Sequence, residues 1–195
     1  MFPDLLRDDV FRLETPRLWL RWPRAADAAA LVRLGGDPQV ASMTASVPQP
    51  YRPEDAEKWI FASRAGNAQG SSLVLVLTPK RKPADVIGAI GLHGWRDNAA
   101  LLGFWLGAPV QGQGLMSEAA GAVVDLAFAV GALDEVHAQA RIENVASRRV
   151  LEKTGFRLEG RGPIHLPARG GVFVCDRFRR DRLETTAEIE LRAAE

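Results

Sequence analysis

Apolar positions recur along the chain with two periods, and the switching between them outlines the elements. Arg17–Trp22 reads as a first strand. Ala25–Leu34 has helical spacing and is ended by Gly35-Gly36. Pro53 suits the first turn of a second helix, with Ala56, Trp59, Ile60 and Ser63 on one face. Ser72–Thr78 is a strand, and Pro79–Pro83, with three basic residues and two prolines, is a solvated loop. Val86–Trp95 and Ala99–Leu106 pair as antiparallel strands through Arg96-Asp97-Asn98. The second is apolar at Leu101, Leu102, Phe104, Trp105 and Leu106, the pattern of a central strand covered on both faces.

Leu115, Ala119, Ala122, Val123, Leu126, Ala127 and Val130 form one stripe of a helix stopped at Gly131. Asp134–Ile142 is a strand with Val136, Ala138, Ala140 and Ile142 on one face. Val145–Thr154 is a short helix ended by Gly155, and Phe156–Arg161 and Val172–Phe178 are the last strands. Runs of neighbouring strands between helices predict one α/β domain with a mixed sheet of about seven strands and helices on both faces. No repeat or linker divides it; residues 1–12 read as an extension, 13–180 as the domain and 181–195 as a charged tail.

Composition narrows the function. With 195 residues, 47% hydrophobic and 25% charged, the chain has the make-up of a soluble globular domain. A net charge of +1 argues against nucleic-acid binding by bulk charge. The single cysteine, Cys175, forms no internal disulfide and builds no metal site with three scattered histidines, which suits a reducing cytoplasm. There is no signal-peptide pattern at the start and no apolar run near the roughly 20 residues that span a bilayer, so no membrane partner is expected.

The informative chemistry is the stretch Pro109-Val110-Gln111-Gly112-Gln113-Gly114-Leu115-Met116, between an apolar strand and an amphipathic helix. Two glycines let the backbone approach an anion, and the first N–H groups of the helix lack partners within it. A tight strand-to-helix turn explains the same glycines, so the surroundings decide.

Those surroundings resemble the GNAT acetyltransferase superfamily. Gln111-Gly112-Gln113-Gly114-Leu115-Met116 is similar to its coenzyme A pyrophosphate loop, and Asn144-Val145-Ala146-Ser147 with Val150–Phe156 to the block that follows. Leu13-Glu14-Thr15-Pro16-Arg17-Leu18-Trp19-Leu20-Arg21, Gly103–Leu106, Ser117-Glu118-Ala119 and Gly155–Gly160 resemble the branch acting on ribosomal-protein N-termini (Rim-type). The resemblance covers about Leu13 to Phe178.

It implies a mostly antiparallel sheet splayed where the donor binds, with acetyl-CoA as cosubstrate and no metal. Trp105, Leu106, Ala108, Gln111, Gly112, Gln113, Gly114, Leu115, Met116, Asn144 and Ser147 would contact the donor. The pantetheine arm would lie like an added strand, the thioester ending near Leu106 and Ala108, where a backbone N–H can stabilise the oxyanion. Met116 stands where many members have Gly or Ala, so its side chain must turn away from the phosphates. Leu151 stands where many carry a tyrosine acid; the branch often uses the serine that here is Ser147. Ser147 also reads as a first-turn residue bonded to backbone, and Asn144 as either a substrate ligand or an N-cap.

The acceptor amine must be neutral to attack. At pH 7 an α-amine with a pKa near 7.8 is roughly 15% neutral, and a lysine near 10.4 about 0.04%. Many members of the branch carry an acidic residue where this chain has Leu101 and Leu102, a loss that favours a low-pKa amine or a base from elsewhere. His93, Glu143 and His137 are candidates, as is a water path; Glu118 reads as a helix-dipole partner. The expected reaction is acetyl transfer to a primary amine by direct attack in a ternary complex. A protein or peptide N-terminus leads, and a small amine such as an antibiotic or polyamine is the alternative. A larger acyl group, a non-catalytic CoA-binding module, and a monomer or homodimer all stay open. Trp59 and Trp95 are candidates for an acceptor groove within a tryptophan set otherwise read as core.

Overall fold

In the computed structural model, residues 11–131 and 133–182 are described. The charged tail from 183 onward and residues 1–10 lie outside them. The strands are β1 (Arg12–Glu14), β2 (Leu18–Arg21), β3 (Leu73–Pro79), β4 (Gly88–Arg96), β5 (Ala99–Leu106), β6 (Glu135–Arg141), β7 (Arg157–Leu166) and β8 (Gly171–Asp181). The helices are α1 (Ala28–Gly35), α2 (Pro38–Ala41), α3 (Pro53–Gln69), α4 (Leu115–Val130) and α5 (Val145–Lys153).

These form one sheet in the order β1-β2-β3-β4-β5-β6-β8-β7. Eight strands stand where the sequence predicts about seven, because Arg12–Glu14, at the junction of the expected extension and domain, forms an edge strand on β2. All neighbours are antiparallel except β5 and β6. That parallel ladder runs only from Ala99↔Glu135 to Leu102↔Ala138. Beyond it β5 stays paired to β4 as far as Leu106, and β6 to β8 as far as Arg141. The two strands therefore separate like an unzipped seam, leaving the facing backbone edges of Gly103–Leu106 and Gln139–Arg141 outside any ladder among the described residues.

Helices cover the two faces differently. On one face α4 and α5 bury Leu75, Leu77, Ile90, Leu92, Leu102, Val136, Ala138 and Phe178 in the main core. On the other, α1 and α3 bury Val76 and Val86 with Leu31, Ala56 and Ile60 in a smaller one. A buried bidentate pair, Arg21 Nη1 and Nη2 donating to Asp27 at 2.8 Å each, ties β2 to the lead-in of α1. Breaking such a pair strands a buried charge, which typically costs about 3–5 kcal/mol.

Four expectations change here. The face of β5 carrying Leu101 and Gly103 is open, with Leu101 39% exposed, so this central strand is covered fully on one side only. The buried stripe of α4 includes Met116, Ala120, Val124 and Phe128, while Val130 is exposed and Ala122 and Leu126 are half-buried. The stripe rotates because the helix begins by burying Met116. Residues 162–171, between the last two expected strands, are mostly the extended β7–β8 hairpin, turning at Pro167–Arg169. Of the five tryptophans only Trp22 is fully buried.

Candidate active site

The glycine turn is a strand-to-helix connection with an unusual backbone. Gly112 and Gly114 both have left-handed backbones, φ +77° and +74°, which glycine adopts without a Cβ penalty. Gly114 is the N-cap of α4, and Glu118 makes the first intrahelical bond, to the Gly114 carbonyl at 3.1 Å. The N–H groups of Leu115, Met116 and Ser117 thus precede the helix's own ladder at its positive end. Residues 111–114 are exposed, whereas Leu115 and Met116 are buried. The Met116 side chain points into the core, so it does not obstruct the turn. Gln111 folds back to donate from Nε2 to the Leu106 carbonyl at 2.8 Å, bracing the turn against the end of β5. Ala108 sits in the short 3-10 turn between them.

A cavity of about 640 Å³ opens beside the unzipped seam. Its floor is the open sheet face, including Gly91 and His93 of β4 and Leu101, Gly103 and Trp105 of β5. Register explains the grouping: Gly91 pairs Gly103 and His93 pairs Leu101, and directly paired residues share a face. A Cβ on Gly103 would meet nothing within 4 Å, which leaves that stretch of backbone approachable from the cavity. Gln139 of β6 and Asn144 and Ser147 at the start of α5 form the far wall.

Asn144 is the N-cap of α5, its Oδ1 accepting from the Ser147 N–H at 3.0 Å. That satisfies the capping reading, and both Asn144 and half-buried Ser147 line the cavity. Leu151, the position of the missing tyrosine, is 1% exposed in the main core.

Among the three candidate bases, His93 alone lines the cavity. Its ring lies over Gly91, where a Cβ would come within 2.7 Å of Nε2, so a larger residue at 91 would displace the imidazole. Desolvation there pushes its pKa below the ordinary 6.5, and the ring is neutral at pH 7. His137 faces Glu135 at 3.5 Å, and Glu143 pairs Arg141 at 3.3 Å. Cys175 is buried, and burial, the largest influence on it, raises its thiol pKa, making it a core residue and not a reactive thiol.

The acceptor side holds residues that sequence motifs miss. Met43–Pro48 and Tyr51, with Asp55, Lys58 and Trp59 of α3, form the opposite wall. Trp95 is not part of this wall. Tyr51 is the only tyrosine in the chain. Burial, reinforced by the charge of Asp55, pushes its phenol up to about 12, so it stays protonated and keeps an O–H to donate. Gly35 admits it: a Cβ there would meet the Tyr51 ring at 3.3 Å and the Trp105 ring at 3.4 Å.

The 42–49 segment is strapped down mainly through its carbonyls. Arg141 Nη1 donates to Ser42 O at 2.9 Å, the Ala168 N–H to Ala45 O at 3.1 Å, and Arg169 to Val47 O. Arg169 Nη1 also donates to Gln49 Oε1 at 3.2 Å. The hairpin tip therefore latches this wall.

Residues 17–157 match the family described as Acetyltransferase (GNAT) domain. The chain belongs to the GNAT acetyltransferase family. It is 43% identical over 61 residues to the probable N-acetyltransferase YjcK of Bacillus subtilis (strain 168), a match covering 31% of this chain and 34% of that relative. The matched part thus spans about a third of the relative's length. The fold resembles RimL, the ribosomal L7/L12 alpha-N-protein acetyltransferase solved with coenzyme A, at TM-score 0.77 and 21% identity, covering 88% of this chain and 98% of that one. It also resembles the microcin C7 self-immunity acetyltransferase MccE, solved with acetyl-CoA and AMP, at TM-score 0.72 and 21% identity, covering 85% and 93%. No group of three or more potential metal ligands occurs among the described residues, and no helix there is long and apolar enough to cross a membrane.

Proposed function

We propose that the protein transfers an acetyl group from acetyl-CoA to a primary amine bound in the 640 Å³ cavity. One observation carries the reading. The open end of the β5–β6 seam, His93, Asn144 and Ser147 meet at that cavity, and the strand lining it leads directly into the glycine turn. The residues fit the donor: the exposed backbone of 111–114 and the unladdered amides of α4 suit a pyrophosphate. The free edge of Gly103–Leu106 suits an extended amide-bearing arm, which would pair there as a strand does.

The donor supplies an electrophilic thioester carbonyl. The chain's residues then have three tasks. Backbone N–H groups at the end of β5 and the 3-10 turn face the oxygen that becomes negative as the amine nitrogen adds. His93, neutral at pH 7, takes the proton the amine must shed, directly or through water. Ser147 donates toward the sulfur as the carbon–sulfur bond breaks. No covalent enzyme intermediate is required.

The acceptor we favour is a protein or peptide α-amine. The cavity floor offers Leu101 and no carboxylate at that position, which suits an amine already partly neutral at pH 7. A small-molecule amine is the second reading, because the cavity's volume lies within the range of roughly 300–1,000 Å³ typical of small-ligand sites. The test is release of coenzyme A thiol, with product masses, for N-terminal peptides against lysine-containing N-blocked peptides and small amines. Turnover confined to free α-amines supports the first reading, and turnover confined to small amines the second. Tight donor binding without turnover on any acceptor would make the protein a CoA-binding module.

A further inference from the structure

The outer edge of the glycine turn is exposed, yet its amides gain most if aligned before the donor arrives. The alignment comes from a segment about a hundred residues earlier. Arg17 Nη1 donates to the Gln113 carbonyl at 2.8 Å and Nε to Glu118 Oε2 at 2.6 Å. The Arg17 backbone N–H donates to Glu118 Oε1 at 2.8 Å, and the buried Thr15 hydroxyl donates to the same oxygen at 2.6 Å. Burial pushes the Glu118 carboxyl up, but the bonds from Thr15 and Arg17, together with the Arg17 charge, outweigh it and hold the carboxyl below its ordinary value. Its side chain is 14% exposed. Glu118 is thus a fixed anchor between strand and helix, beyond the role of a helix-dipole partner.

A peptide unit is planar and trans, so its carbonyl and its N–H point in opposite directions. With the Gln113 carbonyl held by Arg17, the Gly114 N–H faces the other way, away from the guanidinium. The remaining nitrogen of the guanidinium, Nη2, lies 3.6 Å from the point a Cβ on Gly114 would occupy. An isolated exposed ion pair would leave the turn free to rotate; this one grips its backbone.

We infer that Arg17, anchored by Glu118 and Thr15, is a positioning residue for the acyl donor, locking the Gln113–Gly114 peptide so that its N–H faces the donor's pyrophosphate. The inference rests on the glycine turn being the phosphate site, as proposed above.

Two donors test it on the full chain: acetyl-CoA, and S-acetylpantetheine, which carries the same thioester arm without the pyrophosphate. Arg17→Ala and the near-isosteric Glu118→Gln should each raise KM for acetyl-CoA about tenfold, the scale of one lost charge-assisted hydrogen bond. The change should fall on KM and not on kcat, and KM for S-acetylpantetheine should hold. Arg17→Lys should not restore acetyl-CoA binding, since an ammonium lacks the fork that grips Gln113 and Glu118 together. Equal losses with both donors, no loss, or full restoration by lysine would each overturn the inference. Gly114→Val separates it from the reading beneath. If that variant also leaves the ratio between donors untouched, the phosphate reading fails. If only the Arg17 and Glu118 variants leave it untouched, the reading stands and the brace fails.

Discussion

The glycine turn and the acceptor cavity are built in opposite ways. The turn is six consecutive residues, Gln111–Met116, whose left-handed glycines and helix start are set by local backbone chemistry. The cavity draws its walls from α1, the 43–51 segment, α3, four strands and the start of α5, each supplying a few residues. Even its roof is held by bonds from Arg141, Ala168 and Arg169, more than ninety residues away in sequence. A donor shared by a whole family can be bound by a short local device. An acceptor peculiar to one member is selected by a surface assembled from distant parts, so its identity is spread too thinly for any motif.

Separate disturbance of the two regions follows from this contrast. The largest effect is expected from Gly114→Val, because a β-branched residue resists φ +74° and displaces the amides around it. KM for acetyl-CoA should rise about a hundredfold, with KM for the acceptor unchanged, by initial rates at varied concentrations of each substrate. His93→Gln comes next and falls between the regions. The rate should drop about tenfold for a peptide α-amine and about a hundredfold for a lysine amine, which depends more on a base. With His93 present, kcat/KM for a weakly basic aromatic amine, neutral throughout, should fall as pH drops through a value below 6.5, since only the neutral imidazole accepts a proton. That acid limb should vanish in the variant.

Arg169→Ala removes one latch and leaves the Ala168–Ala45 bond in place. KM for the acceptor should rise about fivefold while KM for acetyl-CoA holds, a loss of roughly one hydrogen bond. An equal effect on both substrates would break the proposed division of labour. The smallest expected change is in Asn144→Ala. Losing the cap of α5 should lower unfolding free energy by about 1 kcal/mol in urea titration. A larger drop in kcat than stability explains would show that the Asn144 amide also serves the reaction.

Legibility in the sequence followed the same division. The strand Leu73–Pro79 was readable as a short continuous apolar run, and the glycine-stopped helices because their period reflects one neighbour on one side. The turn was readable because glycine before a helix leaves few alternatives. β5 was misread as doubly covered, since an apolar residue facing a cavity looks like one facing a core. Ala122, Leu126 and Val130 were assigned inward because the period fixes a stripe but not which neighbouring stripe Met116 will pull inward. Tyr51 went unmarked; its isolation between Pro50 and Pro53, as the only tyrosine, was the one available signal. Arg17 was visible within the opening motif, but nothing local could tell that its side chain reaches Gln113.

By itself, then, the sequence determined a single α/β domain, the place and backbone shape of the glycine turn, and Asn144 as the start of a helix. These depend on interactions within a few residues, which spacing and residue type record directly. Only the tertiary structure decided that β5 and β6 part at Leu102 and Ala138, that His93 alone of the candidate bases reaches the cavity, and that Arg17 stands behind the turn. Each of those depends on register and packing between segments far apart in the chain, where a side chain's role is set by what meets it.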